Sequence, residues 1–300
     1  RNFEEAERLA ELVGQEALQR GDDWAGGMMD TLLADLRLWQ GKLEAALELA
    51  EKARNRFKKL SDRFGTVQAL APLMRAQVAT GRDSAAMRTG EELLSMADSG
   101  QNGPYPLMAV AGAAMHRGNG QAAAMMAERA IAELKQLGGQ ASEPLVVLAV
   151  AYAQLGRIDE ALTTIESVPI TGRDHPFTHA VAALVYAASR QPKLALQHAE
   201  AVTNAHGCTY LDQVFAYVAA AGATAQLGDP AHAELAAEAA VARAVGVGDV
   251  VAIALATGVY EAITGGVHPA HDSRTRLGDG WVTVLQLVSD ASPPAQSAGD

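Results

Sequence analysis

The sequence predicts an all-α solenoid, an α-α superhelix of about six to seven stacked helical hairpins, and three observations carry that expectation. First, one phrase recurs: a small residue, a helix end at Gly, then a helix opening on an Ala-rich apolar stripe. It stands at Gly41, Gly81, Gly118, Gly156 and Gly228, with a copy lacking the glycine at Arg190 and a truncated copy opening the chain at Phe3. Second, the copies lie 34 to 40 residues apart. A period in that range marks helical hairpins that bury their apolar faces only against their neighbours. Third, 49% of the 300 residues are hydrophobic but only 5% are aromatic. Ala therefore dominates the apolar set, which suits close helix packing, and strand-type alternation is nearly absent.

The elements follow in order. Helix 3–18 is the second half of a first unit. Helices 22–40 and 43–60 pair next, then 62–80 with 84–97, and 105–117 with 121–137. Helix 143–155 pairs with 158–168, 177–189 with 193–205, and 210–227 with 231–245. Helix 250–264 lacks a full partner. Glycine and proline punctuate the gaps at Gly100 to Pro104, Gly138-Gly139, Pro169 to Pro176 and Gly265-Gly266. The solenoid spans 1–265 and is followed by a loop plus capping segment over 266–291. In that segment Trp281-Val-Thr-Val-Leu-Gln-Leu-Val is expected to form a short helix closing the last repeat. The Ser- and Pro-rich residues 292–300 are expected to be disordered.

Aligned on the linking glycine, the units resemble tetratricopeptide repeats. A small residue seven places before it is Ala34, Met74, Ala111, Ala149, Ala183 and Ala221, and an Ala five places after it is Ala46, Ala86, Ala123, Ala161, Ala195 and Ala233. The resemblance covers about residues 1–265 and is closest for the unit at Gly156. Most units exceed the family's length, and its early Trp and regular terminal Pro are missing. Long, Ala-rich units of this type are similar to arrays in large bacterial signalling and transcription regulators. There they follow a nucleotide-binding switch, adenylyl-cyclase, kinase or helix-turn-helix domain. The chain begins in mid-repeat and is read as a piece of a longer protein.

Charge and motifs narrow the function. The net charge is -11, which disfavours a general nucleic-acid surface. The single cysteine, Cys208, reads as a small buried hydrophobe in a reducing, cytoplasmic setting. No apolar run is long enough to span a bilayer. No phosphate loop, nucleophile elbow or His-Glu-x-x-His motif is present, so no enzyme activity and no cofactor is expected. His175 and His179 stand four apart, and His268, His271 and Asp272 share a loop. Neither set has the spacing of a complete metal site, and both read as structural or solvated. Lys52, Arg56, Lys59 and Arg63 fall at helical spacing. They form either a docking stripe for an acidic partner or a solvated face whose basic residues favour a helix C-terminus.

The resemblance implies a concave groove lined by the first helix of each unit. Its lining is Met28, Asp35, Arg75, Tyr105, Met108, Met115, His116, Phe177 and Phe215, with Thr31, Leu38, Gln68, Glu143, Val146 and Leu184 beside them. Mixed Met and aromatic surfaces suit an apolar or amphipathic peptide. The expected role is a non-enzymatic module binding a protein or peptide. The alternatives are a small apolar inducer that controls an attached effector domain, or a groove filled by a tight superhelix or the C-terminal segment.

Overall fold

The computed structural model describes residues 2–97, 103–272, 275 and 277–290. The expected disordered tail, 292–300, lies outside the described residues. Among the described residues every regular element is helical: α1 Phe3–Gln19, α2 Asp23–Gln40, α3 Leu43–Lys59, α4 Arg63–Ala79, α5 Asp83–Ala97, α6 Tyr105–Arg117, α7 Gly120–Gln136, α8 Ser142–Gln154, α9 Ile158–Glu166, α10 Ile170–Arg173, α11 Pro176–Ala188, α12 Pro192–Thr203, α13 Tyr210–Gln226, α14 Pro230–Val247, α15 Val250–Thr264 and α16 Asp279–Ser289.

The chain is an all-α solenoid. Consecutive helices pair as hairpins, and the first helices of successive hairpins (α2, α4, α6, α8, α11, α13, α15) also pack on one another to form an inner row. Local chemistry fixes the ends. Asp22, Asp62, Asn119 and Asp229 each accept a first-turn backbone N–H at a helix start, and Thr209 with Asp212 forms a reciprocal capping box. Gly41 and Gly118 close α2 and α6 at φ +83° and +84°, a left-handed conformation in which a Cβ is strained. Arg190 adopts φ +63° at the equivalent place in the copy that lacks the glycine. α10 is a short helix inside the stretch between Pro169 and Pro176 that the sequence marks only as punctuation.

The repeating small positions explain the stacking. Ala34, Ala111, Ala149, Ala183 and Ala221 on inner helices, and Ala46, Ala123, Ala161, Ala195 and Ala233 on their partners, are all fully buried. Small side chains there let helix axes approach closely, and summed dispersion contacts replace large apolar payloads. The second helices of hairpins, such as α3, bury one apolar face, whereas the inner helices α8 and α11 are buried on most sides.

The superhelix winds tightly enough to meet itself. α15 touches α4, and α13 touches α2. The bend after α2 abuts the end of α14, where a Cβ on Gly41 would fall 2.5 Å from Val247 Cγ2. Asp249, the N-cap of α15, is fully buried. It accepts from the backbone N–H groups of Val251 and Ala252 and from the Tyr210 hydroxyl at 2.7 Å, and its carboxylate meets His116 Nε2 at 2.9 Å. α6, α13 and α15 are thereby joined across the axis.

α16 covers more than the last repeat. It enters the interior and packs on α8, α11, α13 and α15. Trp281 is fully buried against Phe215, with ring centroids 5.1 Å apart, and its indole N–H donates to the His116 carbonyl. Gly280 N–H donates to the Gly118 carbonyl, and the Gln226 amide donates to the Val288 carbonyl. Arg190 binds both the carboxylate and the carbonyl of Asp290 at the far end of the helix. A terminal lid would satisfy one repeat; this helix satisfies inner helices from three hairpins together with α15.

Candidate functional site

The inner row encloses a chamber of about 610 Å³. Its apolar wall is Leu38 and Trp39 from α2, Ala71 from α4, Met108, Ala109, Gly112 and Met115 from α6, Val146 and Val147 from α8, Phe177 from α11 and Leu211 from α13. Its polar wall includes Asp35, Arg75, Tyr105, His116, Gln140, Glu143, Thr171, His175, Thr178, Tyr210 and Asp212. Volume and lining match a small-molecule site, which typically holds roughly 300–1,000 Å³ between mostly apolar walls with a few placed polar groups.

The polar groups divide into two kinds. Most are held by the fold itself. Tyr210 and His116 bind Asp249. Thr178 donates to the Gly172 carbonyl, Thr171 donates to Gln140, His175 Nδ1 accepts from the Phe177 N–H, and Asp212 caps α13 with Thr209. Asp35, Arg75, Tyr105 and Glu143 are different. Each faces the chamber, and none makes a hydrogen bond or a close ion pair with a described residue. They feel one another through space. Burial pushes the Asp35 carboxyl up to about 6; Arg75 pulls it down and Glu143 pushes it further up. Burial likewise raises the Tyr105 hydroxyl, and the negative charge of Asp35 adds to that rise.

The structure therefore brings together seven of the nine expected lining residues: Asp35, Arg75, Tyr105, Met108, Met115, His116 and Phe177. Two lie elsewhere. Met28 packs outside the chamber on the Ala53, Phe57 and Ala69 cluster between α2, α3 and α4, because its place early in α2 turns it toward the neighbouring hairpin. Phe215 faces inward but is covered by Trp281. Of the residues beside them, Leu38, Glu143 and Val146 line the chamber, whereas Thr31 is buried with its hydroxyl on the Gly27 carbonyl. Trp39, Thr178 and Tyr210 were not expected. Trp39 lies one residue beyond the groove-facing Leu38, and only the tight winding of the inner row turns it into the chamber.

The basic stripe divides as well. Lys52 pairs with Asp30 at 2.8 Å, and Arg56 with Asp23 at 2.7 Å and Asp30 at 3.1 Å. Lys59 lies in a shallow hollow with Glu48, Glu51, Lys52, Asn55 and Arg56. Arg63 is exposed at the start of α4. Two of the four cations thus already face carboxylates of α2, which weakens the stripe as a free anion site.

Among the described residues no group of three or more His, Cys, Asp or Glu is placed to hold a metal. His179 and His198 meet through their Nδ1 atoms at 2.8 Å, with Tyr186 stacked on His198. Burial lowers the pKa of both rings. His271 Nδ1 meets Glu261 at 2.7 Å, and His268 packs edge-on to Tyr260. The Cys208 thiol is half-buried and donates to the Val202 carbonyl at 3.0 Å. Among the described residues no helix is long and apolar enough to cross a membrane. No family model and no curated protein matches the chain.

Proposed function

We propose that this chain is a non-enzymatic sensor arm of a larger regulatory protein and that it binds a small molecule in its inner chamber. The single observation behind the proposal is a chamber of about 610 Å³ walled by six helices of the inner row, with four polar groups that the fold leaves without partners. A ligand there touches α2, α4, α6, α8, α11 and α13 at once. Such a ligand adds a link between units distant in sequence and biases the superhelical winding. That is a means of passing occupancy to an attached domain.

A peptide lying along the same concave face is the other reading. It is supported less, because α16 already covers the stretch around Phe215 that an extended peptide or helix would use.

The test is a thermal-shift screen of a lipid and metabolite panel on the wild type and on Gly112→Phe. Gly112 lines the chamber, and a Cβ there meets nothing within 4 Å, so a larger side chain fills the space without straining the helix. Ligands that raise the melting temperature of the wild type and not of the variant support the proposal. Identical responses of the two proteins oppose it.

A further inference from the structure

We infer that the chamber selects an organic monocation, an apolar body carrying one amine or quaternary ammonium group. This inference rests on the chamber being a small-molecule site and adds the chemical class of its occupant.

Three features point to a cation. The chamber-lining charges without a protein partner are two carboxylates, Asp35 and the exposed Glu143, against one guanidinium, Arg75, an excess of one negative charge. The lining also includes the aromatic rings of Trp39, Tyr105 and Phe177. Aromatic faces attract ammonium groups, most strongly where water is excluded. The perturbation of Asp35 gives the third. Its carboxyl is held up to about 6 by burial and by Glu143, with Arg75 only partly offsetting them. A ligand cation beside it supplies the missing countercharge and returns the carboxylate to its ionised form. An anionic ligand would have Arg75 alone to receive it and would face both carboxylates.

The apolar body has a place too. Met108 and Met115 of α6 line the chamber, and their flexible thioethers adapt to an alkyl or aryl group.

The experiment is calorimetric titration of the full chain with 3-phenylpropylamine and octylamine, each beside its neutral alcohol and its carboxylate isostere. The expected result is that an amine binds at least about tenfold more tightly than its isosteres. That preference is lost in Asp35→Asn and in Glu143→Gln, the latter at an exposed position on the chamber edge that leaves the core intact. Binding of the amine weakens between pH 7.5 and pH 5, as Asp35 gains its proton in the presence of Arg75, Glu143 and Tyr105. Equal or tighter binding of the alcohol or the carboxylate, abolished by Gly112→Phe, overturns the cation inference and leaves the chamber as a ligand site. Absence of chamber-dependent binding by every probe, with the metabolite panel also acting alike on wild type and Gly112→Phe, overturns both.

Discussion

Trp281 donates its indole N–H to the backbone oxygen of His116 at 2.7 Å, across 165 residues of chain. The bond ties the last described helix to the middle of the inner row. His116 in turn meets Asp249 through its ring, so one residue links α6 to α15 and to α16. His116 also lines the chamber, so this anchor fixes one of its walls.

Trp281→Ala removes a fully buried indole, its contact with Phe215 and its hydrogen bond. Loss of a large core aromatic costs about 3–5 kcal/mol. Chemical denaturation followed by circular dichroism is expected to show a loss in that range. Trp281→Phe, which keeps most of the packing, is expected to lose less.

Gly222→Val tests whether α16 is seated as described. A Cβ at Gly222 would overlap the Val288 side chain and fall 2.5 Å from the Val288 carbonyl oxygen. The clash involves Val288 backbone as well as side chain and cannot be relieved by a rotamer change, so α16 is displaced from α13. Hydrogen exchange over Asp279–Ser289 is expected to accelerate strongly, with exchange in α3 and α7 unchanged. Unaltered protection of α16 would refute its placement.

Gly112→Ala is expected to stabilise the protein by about 0.5–1 kcal/mol, the cost of glycine in a helix interior. The new methyl projects into open chamber space. Equilibrium unfolding in urea measures the gain; a destabilisation would mean the chamber is already filled at that point.

Asp35 sets a pH dependence whose sign follows from linkage. Its folded pKa, about 6, lies above the ordinary carboxylate value of about 3.9. Between those values the folded state holds the proton more tightly than the unfolded state, so stability falls as pH rises through the window. Asp35→Asn is therefore expected to be more stable than the wild type at pH 7, by about 1–3 kcal/mol. The two are expected to converge below about pH 4. Paired urea melts at pH 7 and pH 4 check both halves.

Much of the fold was legible because a solenoid is written locally. Most hairpins are marked by a linking Gly, several by an N-cap Asp or Asn, and all by small residues such as Ala34 and Ala46, within one period of sequence. The chamber was partly legible for the same reason. Asp35, Arg75, Tyr105 and Phe177 stand at inward positions of first helices α2, α4, α6 and α11, so the repeat register alone groups them. What local spacing does not encode is the winding of the superhelix. The contact of Gly41 with Val247, the turning of Trp39 into the chamber, and the covering of Phe215 by Trp281 all depend on it. The entry of α16 was hidden for a related reason. Trp281-Val-Thr-Val-Leu has the pattern of any short amphipathic helix, and its partners lie on four helices that no periodicity joins to it.

The central claim is that the chamber is the binding site, and the protein carries its own reporters. Met108 and Met115 line the chamber, whereas Met87 and Met125 are exposed on the outer helices α5 and α7. With 13C-labelled methionine methyl groups, a titration with the apolar amines and the metabolite panel reads both sites in one spectrum. The account predicts saturable shifts of the Met108 and Met115 resonances, abolished by Gly112→Phe, with Met87 and Met125 unmoved. Shifts confined to Met87 and Met125, or no saturable shift at Met108 and Met115 with any compound, would contradict it.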